Sequence, residues 1–146
     1  MGIAALIFWL LTAGGGFFLL GTWIAKGGTR QPNSTQLPAP VLFGHFLLAV
    51  AGLIVWIVYL VIDNTAWAWI AFVLLIPVAL LGFTMLVRWI PTYRERSAAG
   101  TVERRSAAGT AEPPEKHFPV AVVAAHGVFA VTTVVLVFLT ALGVGS

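Results

Sequence analysis

Two histidines, His45 and His126, stand inside long apolar stretches of this 146-residue chain. An ionisable side chain in such surroundings is a functional candidate by default. Each follows a proline by seven residues: at an offset of 81 residues, Pro38-x6-His45-x3-Ala49 lies over Pro119-x6-His126-x3-Ala130, with Val50 over Val131. A second offset, 66 residues, lays Gly16 over Gly82 and Trp23-Ile24 over Trp89-Ile90. At helical rise both histidines lie about 10 Å inside the stretches that the prolines open, and both glycines share that depth. The repeat therefore predicts one layer holding two imidazoles and two glycines. Two facing imidazoles with no carboxylate beside them suit an iron porphyrin with two axial ligands.

On that reading His45 and His126 are the metal ligands of a single b-type haem. Gly16 and Gly82, lacking Cβ atoms, leave space beside a flat macrocycle. Ala49, Gly52, Ala130 and Thr133 continue the histidine faces at i+4 and i+7 and keep them narrow. Arg88, one turn inside the end of its apolar stretch, is the cation expected near haem propionates, with Lys26 as a second. Plainer readings stand beside these. Membrane helices use histidine for interhelical hydrogen bonds and small residues for close packing, and Arg88 can snorkel to an interface. Met85 is a lesser axial candidate, and His117 reads as a solvated loop residue.

The elements that must position these residues follow from composition. The chain is 60% hydrophobic and 9% charged, with a mean hydropathy of +0.98, whereas soluble domains carry about a quarter charged residues. That balance excludes an ordinary globular domain, a disordered chain and a nucleic-acid reader, despite a net charge of +3. The expected solvent is lipid. There is no cysteine, so disulfides, thiolate metal sites, iron–sulfur clusters and covalent haem attachment are excluded.

Four apolar runs reach the roughly 20 residues needed to cross a bilayer: about residues 2–25, 40–62, 66–90 and 119–142. In lipid each must be a helix, because nothing else satisfies its backbone internally. The expected fold is an all-α membrane bundle of four transmembrane helices, two hairpins related by a pseudo-twofold axis along the membrane normal. Asp63-Asn64-Thr65 is the turn between the second and third spans, flanked by the interfacial aromatics Tyr59, Trp67 and Trp69.

Lys26, Arg30, Arg88, Arg94, Arg96, Arg104, Arg105 and Lys116 all fall on one side of this topology. The positive-inside rule then makes both long loops cytoplasmic and both termini external, in a cell (inner) membrane. The first span has its basic residues after the apolar run, so it reads as a retained helix and not a signal peptide. Residues 92–116 read as a flexible linker, with Arg-Ser-Ala-Ala-Gly-Thr at 105–110 nearly repeated at 95–101. Four glutamates fall in this linker and are expected to serve solubility.

Four spans with paired inward histidines resemble the small membrane-embedded b-type cytochromes, such as the cytochrome b561-like and dehydrogenase-anchor families. The resemblance rests on His45 and His126, with Gly16 and Gly82 in support, and covers the bundle but not residues 92–116. Many such cytochromes carry two haems and four histidines; this chain has two within its spans, so at most one haem is implied. The implied role is an electron-transfer subunit exchanging electrons between a redox partner and the quinone pool, assembled with other membrane or redox subunits. The competing reading is a non-catalytic membrane subunit or scaffold of a larger complex, without a cofactor. Both readings favour an electron-transfer or accessory subunit over an independent enzyme.

Overall fold

Among the described residues the chain forms four α-helices, α1 (Gly2–Ala25), α2 (Ala39–Ile62), α3 (Thr65–Ala98) and α4 (Val120–Ala141), and one 3-10 turn over Pro114–His117. The computed structural model describes residues 1–31, 33–98 and 112–145, and among these there is no strand. All four helices are long and apolar enough to cross a membrane. Only 11% to 17% of each apolar stretch is buried inside the bundle, and Leu47, Ile54, Val61, Leu80 and Phe83 point outward. An apolar exterior of this extent is consistent with a multi-pass membrane protein whose solvent is lipid.

Local chemistry sets the helix ends. Pro38 and Pro119 hold extended backbone immediately before α2 and α4, where a fixed φ and a missing N–H cost nothing. Asp63 terminates α2 in the left-handed region, φ 53°, and donates its N–H to the Tyr59 carbonyl at 2.8 Å. Asn64 Oδ1 accepts the Ala66 N–H at 2.9 Å, which caps the start of α3 directly after the turn.

The third helix is longer than the sequence suggests. It continues past Ile90, through Pro91, to Ala98, and its 34 residues span about 51 Å at 1.5 Å per residue. That exceeds a hydrocarbon core of about 30 Å, so its polar last turns extend beyond the apolar region. Residues 92–98 of the expected linker are therefore helical. At the other end of that linker, Pro114 and Glu115 are buried. The 105–110 copy of the short repeat lies outside the described residues.

Partnership between the helices crosses the repeat. α1 packs chiefly along α4 and α2 along α3; α3 and α4 meet less extensively, and α1 and α2 least. Each hairpin thus finds its main partner in the other half of the chain. The two sequence offsets hold through the interior. Ala5, Trp9 and Trp23 of α1 are buried, and so are their mates Ala71, Leu75 and Trp89 of α3. Gly52, Trp56 and Tyr59 of α2 are buried, as are their mates Thr133, Val137 and Thr140 of α4. Pseudo-twofold symmetry is a property of the core and not only of the sequence.

That core has two parts. One, away from the basic residues, gathers Ala5, Trp9, Trp56, Tyr59, Leu75 and Val137. The other, at the basic end, gathers Trp23, Leu37, Leu42, Trp89 and Phe118. The histidines lie in the layer between them.

Candidate functional site

His45 enters this layer from α2 and His126 from α4, helices that do not touch along their backbones. Their rings nevertheless come close, with centroids 6.3 Å apart and planes inclined by 58°. Each ring is fixed by the neighbouring helix of its tight pair. His45 Nδ1 meets the Val78 carbonyl at 2.9 Å, and His126 Nδ1 meets the Thr12 carbonyl at 2.9 Å. Thr12 and Val78 are mates at the 66-residue offset, so the two bonds are one bond made twice.

A carbonyl oxygen only accepts, so each contact places a hydrogen on Nδ1 and leaves Nε2 with the lone pair. No hydrogen bond among the described residues engages either Nε2, and neither atom is sealed from the surface. This is the arrangement in which a histidine serves as a ligand: a backbone carbonyl orients the ring through one nitrogen and the other remains for the metal.

Both glycines fall in the same layer, each against the edge of an imidazole. A Cβ on Gly16 would stand 3.1 Å from His126 Cε1, and a Cβ on Gly82 would stand 3.1 Å from His45 Cε1. Gly15 adds a second close approach, 3.4 Å to His126 Cβ. The glycines therefore admit the imidazole edges of the adjacent helix; they let each ring come near enough to reach its carbonyl. Thr12 also places its hydroxyl 3.5 Å from that of buried Thr133.

Arg88 is not part of this layer. It lies six residues beyond Gly82, about 9 Å along the helix, and its Nη1 donates to the Gln36 carbonyl at 3.3 Å. Arg96 does similar work, donating to the Lys116 carbonyl at 2.9 Å. Both arginines hold the connecting segments at the basic end. His117 is exposed, in keeping with a loop position, and lies 3.8 Å from Glu112.

Glu115 is where the sequence misleads. It is fully buried, not a solubilising linker residue. Its carboxylate accepts the Thr35 hydroxyl at 2.9 Å and the Gln36 N–H, and its backbone carbonyl accepts Trp89 Nε1–H at 3.1 Å. Trp23 Nε1–H completes the chain by donating to Thr35 Oγ1 at 3.0 Å. The mated tryptophans of the two halves are thereby joined through one glutamate. Gly28 is obligatory beside them, because a Cβ there would lie 2.2 Å from the Trp23 ring.

The metal chemistry open to this site is that of two ligands. Among the described residues no cluster of three or more His, Cys, Asp or Glu side chains exists to form a cage. With metal–nitrogen bonds of about 2 Å and a ring centre about 1.2 Å behind each nitrogen, a linear imidazole–metal–imidazole unit needs centroids roughly 6.4 Å apart. The centroid spacing found here, 6.3 Å, is of that size. No family model, curated protein or solved structure matches the chain.

Proposed function

We propose that the chain is a membrane electron-transfer subunit holding one b-type haem between His45 and His126. One observation carries this reading: two imidazoles, each oriented through Nδ1 by a backbone carbonyl, stand 6.3 Å apart with both Nε2 atoms unengaged. A porphyrin supplies the remaining coordination itself, so two protein ligands suffice where a zinc or calcium ion needs more. The donor set fits that group. His45 and His126 would hold the iron; a haem bound in this way supplies one-electron redox chemistry.

The rest is done by the chain. Val78 and Thr12 hold the ring orientations and strengthen both imidazoles as donors. The apolar clusters on either side keep water from the layer and raise the cost of charge there, the lever by which burial tunes a potential. With His45 and His126 both holding the iron, oxygen chemistry there would be disfavoured. Lys26, Arg30, Arg88, Arg94, Arg96 and Lys116 mark the cytoplasmic side by the positive-inside rule, with both termini external, in a cell membrane. Electrons would pass between a redox partner on the basic side and a lipid-soluble acceptor such as a quinone.

A second reading has its own support. Each imidazole already bridges two helices by a hydrogen bond, which is a sufficient structural task for a histidine in a membrane bundle. On that reading the protein is a cofactor-free subunit of a larger assembly. Absorbance of the detergent-purified protein before and after dithionite separates the two. A sharp α band on reduction supports the haem reading; a featureless visible spectrum, with haem supplied during expression, rejects it.

A further inference from the structure

Internal symmetry is not exact, and one of its breaks lies beside the histidines. On the seam between α1 and α2, Phe17 meets Phe46 edge to face with centroids 5.5 Å apart, and Trp23 meets Phe43 at 6.3 Å. Phe17 and Phe46 adjoin Gly16 and His45 in the chain, so this aromatic wall covers the histidine layer and continues to the basic end. The same two offsets send Phe17 to Phe83 and Trp23 to Trp89, but send Phe46 to Gly127 and Phe43 to Ala124. The seam between α3 and α4 has lost both phenylalanines of its wall.

Beside Gly127 no side chain takes their place. A Cβ on Gly127 would find no atom within 4 Å, Gly127 and Ala124 are both exposed, and Phe83 is 65% exposed. Higher on this seam the aromatics return: Phe138 packs at a tilt against Phe72 with centroids 4.9 Å apart and meets Trp69 edge to face at 6.2 Å. The opening is therefore bounded, with an aromatic stop at the end away from the basic residues.

Resting on the haem reading, we propose that the α3–α4 seam at Ala124, Gly127 and Phe83 is the gate through which a planar tetrapyrrole enters and leaves the histidine layer from the lipid. A flat group ligated on both faces lies across the line joining the two imidazoles. That surface is the interface between the α2·α3 pair and the α1·α4 pair, and it meets lipid only at the α1–α2 and α3–α4 seams. The first is walled by Phe46 and Phe43. At the second, hydrogen and methyl stand where the wall has benzyl groups.

The test is kinetic and reads loading, not activity. Apoprotein in mild detergent is mixed with hemin and the Soret band followed; release is followed by transfer to excess apomyoglobin. Rebuilding the wall with Ala124→Phe and Gly127→Phe is expected to slow uptake and release tenfold or more, with the final spectrum unchanged. Opening the other seam with Phe43→Ala and Phe46→Gly is expected to accelerate both. Rates within twofold of wild type in the rebuilt variant overturn the gate while leaving the haem reading intact. Should the rebuilt variant fail to fold, absence of acceleration in Phe43→Ala/Phe46→Gly overturns it equally. A wild-type protein that develops no Soret band overturns gate and haem together.

Discussion

His126 donates to the carbonyl of Thr12, 114 residues earlier, by a 2.9 Å contact that ties the last helix to the first. Its counterpart joins His45 to Val78 at the same length. Substituting either ring removes both a donor to that carbonyl and a candidate ligand. On the haem reading, His45→Ala and His126→Ala are each expected to abolish the low-spin α band, because both imidazoles would be needed to hold the iron. Interhelical hydrogen bonds in membranes average about 0.6 kcal/mol, so both variants should stay folded by circular dichroism. A full α band in both would exclude this histidine pair as the ligands.

The glycines separate by what faces them. Gly16→Ala and Gly82→Ala each press a methyl to 3.1 Å from an imidazole carbon on a ring held by its carbonyl bond, at an expected cost of about 1 kcal/mol or more. Gly14 and Gly21, on the same helix as Gly16, face open space, with no atom within 4 Å of where a methyl would stand. Gly14→Ala and Gly21→Ala should be neutral or stabilising, by up to about 1 kcal/mol from helix propensity. Thermal melts in detergent read the contrast.

Glu115 accepts from the Thr35 hydroxyl and the Gln36 N–H; the hydroxyl has a second, longer acceptor in the Leu37 carbonyl at 3.4 Å. Glu115→Ala leaves the Thr35 hydroxyl and the Gln36 N–H to find new partners, an expected loss of about 1–3 kcal/mol for a group left unsatisfied. Glu115→Gln keeps a carbonyl acceptor and should fall between wild type and alanine. A melting temperature for Glu115→Ala equal to that of wild type would show that the clasp contributes nothing.

Severing the turn between α2 and α3 tests the exchange of partners. Residues 1–63 and 64–146 expressed together should co-purify through a tag on either piece, since α1·α4 and α2·α3 are the main interfaces. Each piece alone should form no stable monomer in detergent. A well-behaved monomer of residues 1–63 would contradict the sparse packing of α1 on α2.

Much of the site is legible in the sequence because the repeat states it twice. The matching of His45 with His126 and of Gly16 with Gly82 depends only on residue identity and spacing, and a helix converts spacing into depth. Val78 and Thr12 are invisible there for the opposite reason: they act through backbone carbonyls, which every residue possesses. Glu115 misleads because its neighbours are polar and low in complexity, and its burial depends on Thr35, Gln36 and the two tryptophans arriving from other segments. The crossing of partners between halves is also out of reach. Four apolar helices in a row imply a bundle, but which faces meet is decided by shape, as where Gly52 admits the Trp9 ring within 3.1 Å of its would-be Cβ.

The crossing of partners has a consequence for biosynthesis. Translation delivers α1 first and α4 last, so the helix with the longest wait is the one whose principal neighbour is still unmade. α2 and α3 are consecutive and can dock as soon as both have left the ribosome, carrying His45 and its carbonyl with them. The second imidazole arrives only with α4. Any group that must bridge both histidines is consequently acquired after all four helices have been inserted, as a late step of maturation and not during synthesis.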